Sequence, residues 1–379
     1  MAQLIGARAP FPTVPRSLGA FRLIKRHFAR NCAIAALAGV MSSGAARADI
    51  PMPTVGGTIF ADFTNLDMEN DGARTVASGT GIDVTRFYLV FNEKFDDTWS
   101  ANVTTDASYS SGGGATDVFI KKAYVQATLS KALWGRLGSA DLPWVPLVER
   151  LYGYRFVEHA LLDRLHFGTS ADWGLHGGGD LDDQRVSYAV SVVNGNGFKN
   201  PTRSKSMDVE ARLAVTLLDG LTVAIGGYDG KLGKDQYGAS APAVFHTASR
   251  FDVLVAYVGG GLRLGGEYFS ANDWNNVTTA ASDKAEGSSI WASYQFTPLW
   301  SAFGRWDEAK TSRDLAPDRK DEYYNAGVAV QPIKYLQFAV AYKHEKVDGG
   351  GFVNTAYGTL GGTIDGTVNE IGLWGLVSF

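Results

Sequence analysis

Histidine, acidic residues and glycine clusters are the first places to look for chemistry in this chain. Beyond His27, the histidines are His159, His166, His176, His246 and His344, and no two fall in an H-E-x-x-H or other tight ligand spacing, so no metal centre is expected. There is no G-x-S-x-G, Walker or dinucleotide fingerprint. Gly112–Gly114, Gly177–Gly179, Gly259–Gly261 and Gly349–Gly351 resemble phosphate loops only superficially. None leads into a helix bearing Lys-Ser/Thr, and they read as turns or wall positions where bulk is unwelcome. The chain is therefore expected to be no enzyme and to need no cofactor. One segment does gather charge: between 141 and 170 stand Glu149, Arg150, Arg155, Glu158, His159, Asp163, Arg164 and His166. In it Pro143 and Pro146 stiffen the start, and Val157, Leu161 and Leu165 recur at i, i+4, i+8, the spacing of a short helix with one apolar stripe. Such a segment can lay the stripe on a wall and turn its charges to water.

Those charges need elements to position them. The 379 residues include 45 Gly, 45 aromatic residues and a single Cys, Cys32. One Cys excludes a disulfide scaffold and a Cys-based zinc cluster. No apolar run is long enough for a transmembrane helix. Arg22, Lys25, Arg26, His27 and Arg30 precede the apolar stretch 32–41 and the box Ala46-Arg47-Ala48, which together spell a cleaved secretory signal peptide over residues 1–48. Without it, residues 49–379 carry 28 basic against 39 acidic residues, a net charge of −11 that argues against nucleic acid as a partner.

From there on the period is two. Val209, Ala211, Leu213, Val215 and Leu217 alternate with Asp208, Glu210, Arg212 and Thr216; Phe251, Val253, Val255 and Tyr257 alternate with Arg250, Asp252 and Ala256; Leu336, Phe338, Val340 and Tyr342 alternate with Gln337, Ala339, Ala341 and Lys343. Sixteen strands are predicted, at 55–65, 80–95, 98–110, 117–129, 132–140, 171–180, 184–194, 206–217, 220–230, 247–258, 261–271, 286–297, 300–310, 319–331, 334–345 and 367–379. Short connections such as Asp96-Asp97, Leu218-Asp219-Gly220, Gly259-Gly260 and Pro332-Ile333 alternate with long ones at 66–79, 141–170, 195–205, 231–246, 272–285 and 346–366. Short turns on one rim and long loops on the other predict an all-β fold: a transmembrane antiparallel β-barrel of about sixteen strands over 49–379. Trp99, Trp134, Trp300 and Tyr335 are expected as one aromatic girdle, and Tyr109, Tyr257, Phe269 and Tyr342 as the other. The polar parity directs Arg86, Lys122, Arg136, Arg212, Arg263, Arg305 and Lys343 inward, with Asp106, Asp208, Glu210, Asp252, Glu267, Asp307, Glu345 and Glu370. Such a mixture implies weak ion selectivity.

Two local motifs carry a resemblance. Ile371-Gly372-Leu373-Trp374-Gly375-Leu376-Val377-Ser378-Phe379 resembles the C-terminal signature of Gram-negative outer-membrane barrels, which implies that Phe379 serves as an assembly signal for the barrel-assembly machinery. Ile120-Lys121-Lys122-Ala123-Tyr124-Val125-Gln126-Ala127 with Trp134-Gly135-Arg136-Leu137-Gly138 is similar to strands of bacterial porins, most of all the phosphate-selective OprO/OprP-like group. The resemblance implies a homotrimer in outer-membrane lipid, joined near Ile59, Phe63, Leu373 and Phe379, that passes small hydrophilic solutes and ions, anions such as phosphate among them. It also implies that the third long loop, 141–170, folds inward and narrows the channel, its acids facing Arg86, Arg136 or Arg305 across the opening. The mixed inward charges depart from a strict phosphate filter. The alternative reading is a plug-less barrel acting as an adhesin or membrane-embedded hydrolase.

Overall fold

A strand whose apolar residues all leave on one side must bury or solvate that side as a unit, and closing a sheet on itself also removes its hydrogen-bonding edges. A computed structural model describes residues 52–109, 116–238, 245–354 and 356–379. The segment 1–48 expected to be a signal peptide and the side chain of Tyr109 lie outside the described residues. Sixteen antiparallel strands form the wall: β1 Thr54–Asn70, β2 Gly79–Lys94, β3 Trp99–Tyr109, β4 Thr116–Ser130, β5 Leu133–Asp141, β6 Ala171–Leu181, β7 Val186–Val193, β8 Asp208–Leu218, β9 Leu221–Gly230, β10 Ala248–Gly259, β11 Leu262–Asn272, β12 Lys284–Gln295, β13 Trp300–Lys310, β14 Lys320–Ile333, β15 Leu336–Asp348 and β16 Asp365–Ser378. Each pairs with its neighbours in sequence, and β16 pairs with β1 from Thr58↔Ser378 to Asn70↔Gly366, which closes the barrel. Two short helices lie between β5 and β6: α1 Val145–Tyr152 and α2 Leu161–Arg164.

The alternation sorts as its parity demands. Leu213, Phe251, Val255, Val340 and Leu373 are exposed on the outer face, whereas Glu210, Asp252, Asp307, Lys343 and Glu345 are buried on the inner one. The inner face is not purely polar. Leu254, Phe269, Trp291, Phe303 and Trp374 point inward and join one cluster with residues of the β5–β6 segment. Phe269 therefore corrects the girdle expectation, since it packs against Phe167 at 5.0 Å. Trp134 is a second correction. It shares the inner parity with Arg136, whose guanidinium lies 4.4 Å from its ring, and it covers Gly178 across the strand pair. Tyr257 is a third, because it sits next to the short Gly260-Gly261 turn rather than a long loop. The turn expected at Pro332-Ile333 falls two residues later, at Lys334-Tyr335, because a register shift after Val330 lets Ile333 pair with Leu336.

The last long loop, between β15 and β16, is tied to the first. Asp71 accepts backbone N–H bonds from Thr363, Ile364 and Asp365 at 2.8 to 3.1 Å, and these donors hold its carboxyl down from an ordinary 3.8 to about 2. Within that loop Phe352–Asn354 and Gly358–Leu360 form a small hairpin, and Asn354 reaches the Glu345 carboxylate of β15 at 2.6 Å.

Candidate pore and constriction

The segment 142–170 owes its path to local signals. Pro146 sits in the first turn of α1, where a missing N–H costs nothing, and Gly153 at φ 84° ends the helix by donating to the Glu149 carbonyl. The expected helix over 157–165 is shortened to the four residues of α2. Val157 lies before it, its N–H turned to the Tyr154 carbonyl, and Leu165 caps it. Val157, Leu161 and Leu165 are nonetheless all buried, so the apolar stripe exists with a shorter helix beneath it.

The barrel wall receives the segment at a series of seats. Trp144 donates its backbone N–H to Glu210 at 2.9 Å and its indole N–H to Glu267 at 3.3 Å. Its ring occupies the space over Gly226, where a Cβ would lie 2.5 Å from the ring. Gly226→Val is therefore expected to lift Trp144 off the wall at a cost of about 1–3 kcal/mol, the usual penalty for overpacking. Indole fluorescence and thermal unfolding of the folded variant check this; an unshifted spectrum with unchanged stability would show that the seat is unimportant. Tyr154 stacks on Phe303 at 4.1 Å. Arginines of the wall take up carbonyls of the segment: Arg263 bonds those of Arg150 and Leu151 in the last turn of α1 at 3.1 and 3.2 Å, Arg250 that of Phe167 at 2.5 Å, and Arg305 that of His159.

Charges on the segment divide into two sets. Arg164 is fully buried and meets Asp321 at 2.6 Å, Glu345 at 2.7 Å and Asp307 at 3.2 Å. Glu158 is buried beside Lys343 at 3.3 Å, and Lys343 meets Glu370 at 3.1 Å. Burial alone would raise the Glu158 carboxyl, but the Lys343 ammonium and the bond from His159 hold it well below the usual carboxylate range. Both residues were expected to face water; both are tied to the wall instead, because a buried charge is tolerable only when paired. Arg155 pairs with Glu149 at 2.6 Å and, with Asp163 and His159, forms the side of the segment turned toward β1–β6. Arg150 lines a cavity on the short-turn side. His166 gives its carbonyl to Trp274 at 2.7 Å, and burial lowers its imidazole from the ordinary value.

The inward strand charges are likewise placed one by one. Arg86 meets Asp106 at 3.3 Å and His159 at 3.0 Å. Lys122 meets Asp141 at 2.6 Å, Arg136 bonds Gln126 at 2.7 Å, and Arg212 bonds Ser187 at 3.0 Å. Asp208 accepts the Tyr228 hydroxyl at 2.6 Å, and Asp252 pairs with Arg250 at 2.8 Å. Of the three arginines expected opposite the segment, only Arg86 stands there. Arg305 lies beneath it, paired to Asp307 at 2.6 Å, and Arg136 sits near the short-turn rim. Lys121 was missed. A bulge between Thr104 and Thr105 leaves Lys121 unpaired in the ladder and turns it, out of strict alternation, to the Tyr88 hydroxyl at 3.2 Å.

The water-accessible space runs past this set. A cavity of about 480 Å³ on the long-loop side and another on the short-turn side share Lys121, Arg155 and Ser170 as lining. A further cavity of about 650 Å³ also borders Arg86 and Arg155 and reaches Asp62 of β1, Lys343 of β15 and Glu370 of β16.

No family model matches the chain, and no curated protein is similar to it in sequence. The likeness is to solved structures of outer-membrane channels. The anion-selective porin of Comamonas acidovorans superposes with a TM-score of 0.61 at 13% identity, over 86% of this chain and 99% of that one. The outer-membrane channel DcaP of Acinetobacter baumannii gives 0.58 at 12%, over 89% and 100%. Salmonella typhi OmpF, in complex with daunomycin, gives 0.58 at 14%, over 86% and 97%. The chain is a closed sixteen-strand antiparallel barrel, the fold shared by these porins.

Proposed function

We propose that this chain is an outer-membrane porin, a water-filled channel for passive diffusion of small hydrophilic solutes and ions, and that segment 142–170 is its constriction. The observation that carries the reading is the segment's anchorage on inward residues of β8–β16, which leaves a charged, wetted gap against β2–β4. Lipid-facing apolar residues and a closed ladder hold the wall, and preference comes from the narrowest cross-section and its charges. Anions such as phosphate belong among its solutes, although paired acids and bases along the lumen favour weak selectivity between small ions. Phe63, Leu373 and Phe379 form an exposed apolar stripe at the β1–β16 seam. This suits a subunit contact, and a trimer form is described for Vibrio cholerae OmpT, whose fold is similar (TM-score 0.57, 14% identity). Export by a signal peptide cleaved after Ala48 and recognition of Phe379 by the assembly machinery complete the reading.

In planar bilayers the purified protein is expected to give stepwise KCl conductance with a small reversal potential under a KCl gradient, and unheated protein to migrate as a trimer. A closed trace under all conditions would overturn the channel in favour of a sealed barrel.

A further inference from the structure

We propose that the long-loop side of the passage holds a binding site for small aromatic monoanions, of the aromatic carboxylate class; the inference rests on the reading of the lumen as an open channel. Most inward cations are matched by carboxylates, as with Arg164 of the segment and Arg250, Arg305, Lys343 and Lys122 of the wall. Lys121 and Lys199 differ. Among the described residues neither has a carboxylate within ion-pair distance, and both lie against aromatic rings instead. The Lys199 Nζ is 4.6 Å from the centre of the Phe119 ring; that of Lys121 is 4.7 Å from Tyr88 and 5.6 Å from Phe198. The Phe119 and Phe198 rings are themselves 5.8 Å apart.

Two elements bring these groups together. Phe119 faces inward because it stands directly opposite the buried Asp106, and the bulge delivers Lys121 beside it. Phe198 and Lys199 come from the β7–β8 connection. That connection is pinned by the Trp173 indole N–H to the Phe198 carbonyl at 2.9 Å and by the Phe198 N–H to the Ala171 carbonyl at 3.1 Å. Lys121, Phe198 and Lys199 border a cavity of about 480 Å³, which suits one small molecule, and Phe119 stands behind Phe198 and Lys199 at its edge. It is lined by six Lys and Arg side chains against three acids. All three acids are engaged: Asp172 accepts the Trp173 and Gly195 N–H groups, Glu210 binds Arg250 and Trp144, and Asp163 lies within 4.0 Å of Arg155 and His159. Burial, and next the Arg86 guanidinium, pull the Lys199 ammonium below its ordinary value, a cost that a bound anion would remove.

The pairing of free cations with ring faces selects the ligand. A carboxylate can take the two ammonium groups, and an aromatic ring can lie along Phe119 and Phe198, replacing the lysines on those faces. Inorganic phosphate satisfies the first half only, and an aromatic cation is repelled.

The test adds sodium benzoate, sodium acetate or inorganic phosphate to a bilayer carrying KCl current through the full-length protein. Benzoate is expected to reduce the current at about tenfold lower concentration than acetate or phosphate, the advantage that ring contacts of this kind supply. Lys199→Ala and Phe198→Ala, each first shown to be folded by its heat-dependent gel mobility, are expected to bring benzoate to the level of acetate. Equal reduction by benzoate and acetate, reduction by phosphate as strong as by benzoate, or variants that keep the benzoate effect would each overturn the site while leaving the channel intact. Absence of any KCl current would overturn the channel reading and this inference with it.

Discussion

Deleting residues 148–164 is expected to raise single-channel conductance about threefold and to admit larger sugars in liposome swelling, since pore-lining cross-section sets the rate. The deletion removes α1 beyond Leu147, all of α2 and the pairs Arg155–Glu149 and Arg164–Asp321. Trp291 and Phe303 then lose their ring partners Tyr152 and Tyr154, so the unfolding temperature falls. The ladder of sixteen strands does not involve the deleted residues, and the barrel still closes. Unchanged conductance in a folded, inserted deletion protein would show that the segment does not limit flow.

Arg164→Ala is expected to have the largest effect of any single substitution. It strands Asp321 and Glu345, which have no second cation partner among the described residues, while Asp307 keeps Arg305. Breaking a buried ion pair from one side costs about 3–5 kcal/mol, because an uncompensated charge remains. The segment should leave the wall to escape that cost, giving a noisier and larger conductance as well as a lower unfolding temperature. Arg164→Met combined with Asp321→Asn and Glu345→Gln removes the stranded charge and is expected to recover most of the stability. If Arg164→Ala alone leaves both temperature and current untouched, the buried cluster does not hold the segment.

How far the sequence told this in advance depends on the element. A barrel wall alternates every two residues for the length of the strand, so Asp208, Glu210 and Arg212 could be placed inside from parity alone, and the structure puts them there. Parity fails wherever the backbone breaks step. Lys121 is one such place, and its bulge has no signature in Lys-Lys beyond an unexpected second charge. In the β5–β6 segment the apolar spacing at Val157, Leu161 and Leu165 points to a helix over 157–165. The stronger signals were Pro146 and Gly153, which bracket α1 by backbone constraint rather than by pattern. The wetted or buried state of Glu158 and Arg164 was beyond reach. It depends on Lys343, Asp321 and Glu345, residues more than 150 positions away that only barrel closure brings near.

The β1–β16 ladder also has a consequence in time. Every other strand pair of the wall joins neighbours along the chain and can zip from its own turn, whereas Thr58↔Ser378 joins partners more than three hundred residues apart. Closing so long a loop is the slow step in folding, and until it is taken two raw strand edges remain open to wrong partners. Once the seam has formed, its thirteen registered residue pairs leave neither strand with an open edge.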